Sequence, residues 1–190
     1  MIYYFLPFSQ LRKAAGLSEL NLVKASHLSR GAVRQLSDPA NGNVTMKTIN
    51  QLAEFFNREV EVILSAQDTL SEYSVVATAL KIERDGFESW KVHLFNFVDE
   101  FRRTMDTRLV ILPPPKSGDP RIIAMLASST RFLCDEIGTA TPQWAIRRCF
   151  LSTPWFVSGM NSLKASALLE SPLVYRMNNI FVHENFLLRA

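Results

Sequence analysis

The sequence predicts a mainly α-helical protein with two domains. Apolar residues recur at spacings of three and four over most of the chain, as in amphipathic helices. Hydrophobic residues make up 47% of the 190 positions, which suffices for one small and one medium-sized core. We therefore expect an N-terminal helical domain with a possible short strand, residues 1–66, followed by a second helical domain, residues 67–190.

Residues 17–36 predict two short helices joined by a tight turn. Ser18 and Ser29 are both of the type that begins helices, because a serine hydroxyl accepts a hydrogen bond from the first free backbone N–H groups. The apolar positions expected to face inward are Leu22, Val23, Val33 and Leu36. This pattern is typical of a helix-turn-helix, a motif that binds DNA.

The outward face of the second helix carries side chains that can contact base edges. Arginine can bind guanine through two hydrogen bonds, and glutamine can bind adenine in the same way. A glycine on that face has no side chain, so it would allow the DNA to approach the helix closely. The predicted base-reading residues are Ser29, Arg30, Gly31, Arg34 and Gln35. The alternative is an ordinary solvated helix with two surface arginines.

The basic charge is concentrated in the same segment. The whole chain carries a formal net charge of only +3. Residues 11–48 alone contain six Lys or Arg against two acidic residues, which gives +4. We expect a few phosphate contacts and a mild salt dependence of binding. The predicted phosphate-contacting residues are Ser18, Asn43, Thr45 and Lys47.

The order of features around this segment is similar to one family. Residues 11–18 read LRKAAGLS, like the first helix and its exit, and residues 43–49 read NVTMKTI, like the loop and cap of a fourth helix. Residues 11–64 thus resemble the Cro/C1-type (XRE) helix-turn-helix family. The resemblance implies a lambda-repressor-like domain in a homodimeric regulator that binds an operator in double-stranded DNA. Two positions depart from the family: His27 replaces the turn glycine, so it must accept a positive φ or alter the turn, and Gly31 lowers helix propensity.

After the predicted fourth helix the pattern of apolar residues changes from helical spacing to alternation. Residues 58–64 read REVEVIL and alternate polar with apolar side chains, which favours a strand. Such a strand could pair across a dimer. Residues 65–69 are expected to be a linker, and residues 2–6 a short extended piece.

The second domain is expected to be built from amphipathic helices. Helical spacing begins at Ser71 and continues until Asp85-Gly86 breaks it, and a second helix covers residues 87–103. A third helix should run from Pro120, capped by Asp119, to a stop at Gly138. The aromatic side chains of residues 87–101 should form core, with a partner interface or a small-molecule pocket as the alternatives.

The C-terminal part carries a second resemblance. Its recurring elements are GDPR at 118–121, PQW at 142–144, PWF at 154–156 and SPLVYRMNNIFV at 171–182. In this order they look like the antitoxin partners of AbiEii-type nucleotidyltransferase toxins, over residues 109–190. The resemblance implies a protein partner, namely a cognate toxin. The large side chains predicted to contact it are Trp144, Trp155, Phe156, Tyr175 and Phe181, unless they close the helical core instead.

Other functional classes find little support in the sequence. There is no glycine-rich phosphate loop, paired-carboxylate motif or metal-ligand spacing, so we expect no catalysis, no cofactor and no metal site. Cys134 and Cys149 are expected to be reduced thiols. No signal peptide and no membrane span are expected, which favours the cytoplasm.

The leading hypothesis is an autoregulating, DNA-binding antitoxin that represses transcription. The alternatives are an interaction module without DNA binding and a small-molecule-responsive repressor.

Overall fold

The structure, a computed structural model, is mainly α-helical, as the sequence predicts. It describes residues 8–37, 44–58, 60, 71–116, 118–147 and 149–188, except the side chains of residues 9 and 10. The chain divides into two compact units, Met1–Leu64 and Ser65–Ala190, here called unit 1 and unit 2. Of the strand predicted at 58–64, residues 58 and 60 are described and are not in a strand, and the rest lies outside the described residues. The predicted linker at 65–69, the piece at 2–6 and the predicted phosphate contact Asn43 also lie outside them.

Unit 1 consists of short helices around a small core. The helices are α1 (Phe8–Ala14), α2 (Glu19–Ser26), α3 (Arg30–Ser37) and α4 (Met46–Phe55). The buried side chains form one cluster, made of Phe8, Leu22, Leu28, Val33, Leu36 and Leu52. Since each helix contributes to this cluster, burial of these apolar groups sets the orientation of all four helices.

Unit 2 is a helical domain with a very small sheet. Its helices are α5 (Val75–Asp85), α6 (Trp90–Thr104), α7 (Pro120–Ile137), α8 (Gln143–Ile146), α9 (Lys164–Glu170) and α10 (Leu173–Arg176). Turns of 3₁₀-helix occupy Phe87–Ser89, Thr107–Val110 and Asn161–Leu163. Strands β1 (Trp155–Phe156) and β2 (Ile180–Phe181) pair in parallel, with Trp155 opposite Ile180 and Phe156 opposite Phe181.

The central element of unit 2 is α7, which contacts α5, α6, α8 and α10. Asp119 caps its start by accepting a hydrogen bond from Arg121 N, and Pro120 occupies the first turn. Gly138 ends it with φ of 70°, a conformation that glycine adopts without steric cost. Both predicted ends of this helix are therefore confirmed.

Two other helix boundaries differ from the prediction for local reasons. The helix expected from Ser71 begins only at Val75, because the Ser74 hydroxyl accepts from Ala77 N and acts as the cap. Its end at Asp85, followed by Gly86, is as expected. The aromatic helix expected from Phe87 begins with a 3₁₀ turn, and its α-helical part starts at Trp90.

Polar side chains fix the segment after α9 onto α7. Asn178 Nδ2 donates to Ser128 Oγ at 2.9 Å, and Asn178 Oδ1 accepts from Cys149 N at 3.1 Å. The hydroxyls of Ser129 and Tyr175 lie 3.0 Å apart. The side chains of Ser128, Ser129, Tyr175 and Asn178 are buried, so an unmatched polar group among them would lose its solvation without compensation.

Replacing Asn178 with alanine is expected to destabilise unit 2 by about 1–3 kcal/mol, because two buried polar groups lose their partner. The measurement is urea unfolding followed by tryptophan fluorescence, which reports on unit 2 since Trp90, Trp144 and Trp155 all lie there. Asn185→Ala, at an exposed asparagine, is the matched control. Equal unfolding midpoints for the two variants would contradict the structural role of Asn178.

Candidate nucleic-acid interface

The turn between α2 and α3 contains no glycine, and His27 occupies the position where the chain has a positive φ. His27 adopts the left-handed conformation, with φ of 57° and ψ of 18°, so of the two outcomes expected from the sequence it takes the positive φ. Ser26 Oγ donates to Leu22 O at 2.7 Å and lies 3.4 Å from Leu28 N, from which it accepts. Leu28 is buried in the core of unit 1. Hydrogen bonds before the turn and an apolar anchor after it therefore hold His27 in a conformation that histidine disfavours.

Helix α3 divides cleanly into an inner and an outer face. The Ser29 hydroxyl accepts from Ala32 N at 3.1 Å, which confirms it as the cap of this helix. Val33 and Leu36 are buried. The predicted base-reading residues Arg30, Gly31 and Arg34 are exposed together with Ser29, and Gln35 is half-buried. The inner face thus leaves two guanidinium groups on the outside of the same helix.

Gly31 has no role that the fold requires. A Cβ added to it would meet only Ser29 Oγ, at 3.9 Å, which is an ordinary contact. Its φ is not positive. Glycine inside a helix costs about 0.5–1 kcal/mol relative to alanine, so unit 1 gains nothing from it within its own structure. The glycine leaves an open surface beside Arg30.

The described residues predicted to contact phosphate lie at the starts of helices. The Ser18 hydroxyl accepts from Asn21 N at 3.1 Å, and Thr45 Oγ1 accepts from Thr48 N at 3.2 Å. Both hydroxyls are exposed, and so is Lys47. Because a hydroxyl that accepts in a helix cap keeps its proton, Ser18 can still donate to an anion. Thr45 Oγ1 also lies 3.0 Å from Thr48 Oγ1, so it can donate to an anion when Thr48 is the donor of that pair.

The cations of unit 1 are largely available to a ligand. Lys13, Lys24, Arg30, Arg34 and Lys47 are exposed and form no ion pair with any residue that the structure describes. Arg12 differs, because its Nη1 donates to Leu17 O at 3.0 Å and its side chain is half-buried. From the sequence, Arg12 was grouped with the other basic residues. Charge alone could not predict that it donates a hydrogen bond to the backbone just after α1.

Tyr175 and Trp144, predicted at a partner interface, are tied into unit 2 by their polar ends. The Tyr175 side chain is 1% exposed, so it is core and offers no surface to a partner. Burial raises the pKa of its hydroxyl far above the ordinary tyrosine value. Trp144 is half-buried, and its Nε1 donates to Val110 O at 2.8 Å.

The other three predicted interface residues lie on or beside the small sheet. Trp155 packs against Trp90 with ring centroids 5.2 Å apart. Phe156 and Phe181, at paired positions of β1 and β2, stack at 4.8 Å. All three are half-buried. Most of their surface is thus used within unit 2, in line with the alternative that these residues close its core.

The described residues form neither a metal centre nor an enclosed apolar pocket of ligand size. Within them, no group of three or more His, Cys, Asp or Glu could hold a metal ion. Most of the large side chains of α6 face the core, including Trp90, Phe97 and Phe101. A cleft between α5 and the start of α7 encloses about 140 Å³, well below the roughly 300–1,000 Å³ of typical small-molecule sites. A second depression, of about 540 Å³, is open to solvent and lined mainly by polar side chains, among them Glu170, His183 and Asn185, whereas small-molecule sites are mostly apolar.

Comparison with known proteins returns no significant match to any family model, curated protein or solved structure. No helix within the described ranges is long and apolar enough to span a membrane.

His27 provides a test of the turn. Replacing it with glycine is expected to stabilise unit 1 by about 0.5–1 kcal/mol, because glycine adopts positive φ without the steric cost that histidine bears. His27→Val should instead destabilise unit 1 by about 1 kcal/mol or more, since a β-branched residue is least tolerant of this conformation. Thermal unfolding followed by circular dichroism measures both. If the His27→Val variant were as stable as the His27→Gly variant, the left-handed conformation of residue 27 would be contradicted.

Proposed function

We propose that this chain is a sequence-specific DNA-binding regulator of transcription that acts as a homodimer, with α3 placed in the major groove. The single observation that carries the proposal is the outer face of α3, where Arg30 and Arg34 are exposed beside Gly31 and have no carboxylate partner among the described residues. Arginines of this kind suit bidentate contact with guanine. The open surface at Gly31 gives the DNA room to approach.

Other features of unit 1 support the same placement. Exposed hydroxyls at Ser18 and Thr45 and the ammonium group of Lys47 are the kinds of donor that bind DNA phosphates. A homodimer follows from size, because α3 has only eight residues and one such helix reads a short half-site. Two copies related by a two-fold axis would read two half-sites and multiply specificity.

The proposal for unit 2 is that it binds a protein partner. By the resemblance of residues 109–190, that partner would be a nucleotidyltransferase-like toxin, and this chain would be the antitoxin that represses its own gene. Cys134 and Cys149 are free thiols, which suits action in the reducing cytoplasm.

The proposal is tested by fluorescence anisotropy with the DNA upstream of the protein's own gene and a scrambled duplex, each at two salt concentrations. We expect tighter, salt-sensitive binding to the upstream DNA, and loss of that preference in the Arg30→Ala/Arg34→Ala double variant. Equal binding to both duplexes by the wild-type protein would refute sequence-specific recognition and favour an interaction module without DNA binding.

Single substitutions separate base contacts from phosphate contacts. Arg34→Ala should weaken binding to the preferred site by about 1–3 kcal/mol and leave scrambled DNA nearly unaffected. Lys47→Ala should weaken binding to both duplexes by the same factor and reduce the salt slope by about 1. Arg108→Ala, which removes an exposed arginine of unit 2 that is paired with Asp106, is the control. Identical losses for Arg34→Ala and Lys47→Ala on both duplexes would contradict these roles.

A further inference from the structure

The arginines of unit 2 fall into two groups that differ in their partners. One group binds carboxylates at 2.6–2.8 Å and consists of Arg84, Arg102, Arg103, Arg108 and Arg121. The hydrogen bond from Arg84, together with His93, lowers the pKa of Asp85 to about 2. Among the described residues, the second group has no carboxylate partner: Arg131, Arg147 and Arg176.

The unpaired arginines come from distant parts of the sequence but lie around one stretch of structure. Arg131 is on α7, and its Nη1 lies 3.6 Å from the Met177 sulfur just after α10. Arg176 is the neighbour of Met177 in the chain. Arg147 precedes Cys149, whose backbone N–H donates to Asn178. Arg131 and Arg176 therefore lie beside the same residue, Met177, and the hydrogen bond from Cys149 to Asn178 brings the segment that follows Arg147 to the same part of unit 2.

Large apolar side chains are exposed among these charges. Leu173 is 62% exposed and Met177 is 40% exposed, and they lie one helical turn apart since Met177 N donates to Leu173 O at 2.9 Å. Phe150, next to Cys149, is 54% exposed. We call the whole set the arginine surface; it consists of Arg131, Arg147, Phe150, Leu173, Arg176 and Met177.

The sequence around this surface explains why its charge is largely uncompensated. No Asp or Glu occurs between Glu136 and Glu170. Glu170 itself lies 3.1 Å from His183 Nδ1. Asp135 is one turn of α7 from Arg131 and offsets part of the charge, so one carboxylate stands against three guanidinium groups. The field of the arginine surface is thus positive overall, which favours a negatively charged ligand.

We propose that the arginine surface is the docking site of unit 2 for an acidic, apolar segment of a partner protein. The proposal rests on the part of the proposed function that gives unit 2 a protein partner, and it adds where that partner binds and what its chemistry is. Aromatic residues, Met and Arg are the types enriched at protein–protein interfaces, and Lys is depleted there, as on this surface. Carboxylates of the partner would pair with the guanidinium groups, and its apolar side chains would cover Phe150, Leu173 and Met177.

Two other occupants fit the surface less well. A second copy of this chain, joined by a two-fold axis through the surface, would place arginines against arginines. A nucleic acid would satisfy the arginines through its phosphates, but it would leave three large apolar side chains without a complementary surface. The chemistry therefore favours a protein segment that carries both negative charge and apolar groups.

The test uses the full-length protein and a random-peptide display library as the probe. We expect the selected peptides to be enriched in Asp and Glu together with large apolar residues. Binding of one such peptide, measured by anisotropy, should weaken by about tenfold or more in the Arg131→Gln/Arg147→Gln/Arg176→Gln variant. Arg108→Gln is the matched control for charge, because Arg108 already has its carboxylate, and should leave peptide binding unchanged.

The apolar part of the surface has its own pair of variants. Leu173→Ser should weaken peptide binding, whereas Val92→Ser, at a similarly exposed apolar residue of α6, should not. Tryptophan fluorescence checks that each variant is folded. If the triple variant does not fold, the Arg147→Gln/Arg176→Gln double variant, which changes only exposed side chains, decides the question.

Several results would overturn the proposal. Selected peptides that are not acidic, or that bind the triple variant as tightly as the wild type, would show that the arginines do not recognise carboxylates of a partner. If the triple variant instead lost affinity for scrambled duplex DNA or for anionic lipid vesicles, the surface would serve a nucleic acid or a membrane. The Arg30→Ala/Arg34→Ala variant separates the two claims, since it should lose specific DNA binding and keep peptide binding.

Discussion

The contact between α2 and α3 is the constraint on which the rest of unit 1 depends. Leu22 of α2 is completely buried, and it shares one cluster with Val33 and Leu36 of α3. Loss of a buried leucine side chain costs about 2–5 kcal/mol, a large share of the roughly 5–15 kcal/mol that stabilises a small domain. Because Val33 and Leu36 must face this cluster, Arg30, Gly31 and Arg34 must face away from it. The proposed DNA-reading face is therefore a geometric consequence of a hydrophobic contact.

Uncompensated positive charge links the proposals for the two units. In unit 1 the exposed cations have no ion-pair partner among the described residues, and in unit 2 the same is true of the arginine surface. The physical difference lies in what accompanies the charge. Around Arg30 and Arg34 the neighbours are a glycine and hydroxyl groups, which suits a polar ligand with phosphates and base edges. Around Arg131 and Arg176 the neighbours are Leu173 and Met177, which suits a protein.

The sequence predicted those features that have a local cause. The caps at Ser18, Ser29 and Asp119 and the stop at Gly138 depend on one side chain and the backbone beside it, and all four are present. The division of α3 into two faces follows from helical spacing alone. The pairing of β1 with β2 could not be predicted, because it joins two-residue strands 25 positions apart in the chain.

The candidate sites likewise depend on contacts between distant parts of the chain, which the sequence could not predict. An aromatic residue has the same appearance in a sequence whether it closes a core or contacts a partner, and only packing assigned Tyr175 to the core of unit 2. The arginine surface could not be predicted from the sequence, because its members lie on three separate helices or beside them. The absence of Asp and Glu between Glu136 and Glu170 was the one signal that could have indicated it.

The central claim is that the outer face of α3 contacts DNA, and hydrogen exchange tests it most directly. The full-length protein would be compared by mass spectrometry with and without the duplex from upstream of its own gene. We expect slower amide exchange in the segments that contain Ser18, residues 29–35 and residues 45–47, with the amides of α6 and α7 unchanged. Protection confined to unit 2, or no change in α3 under conditions where the duplex is bound, would contradict the account.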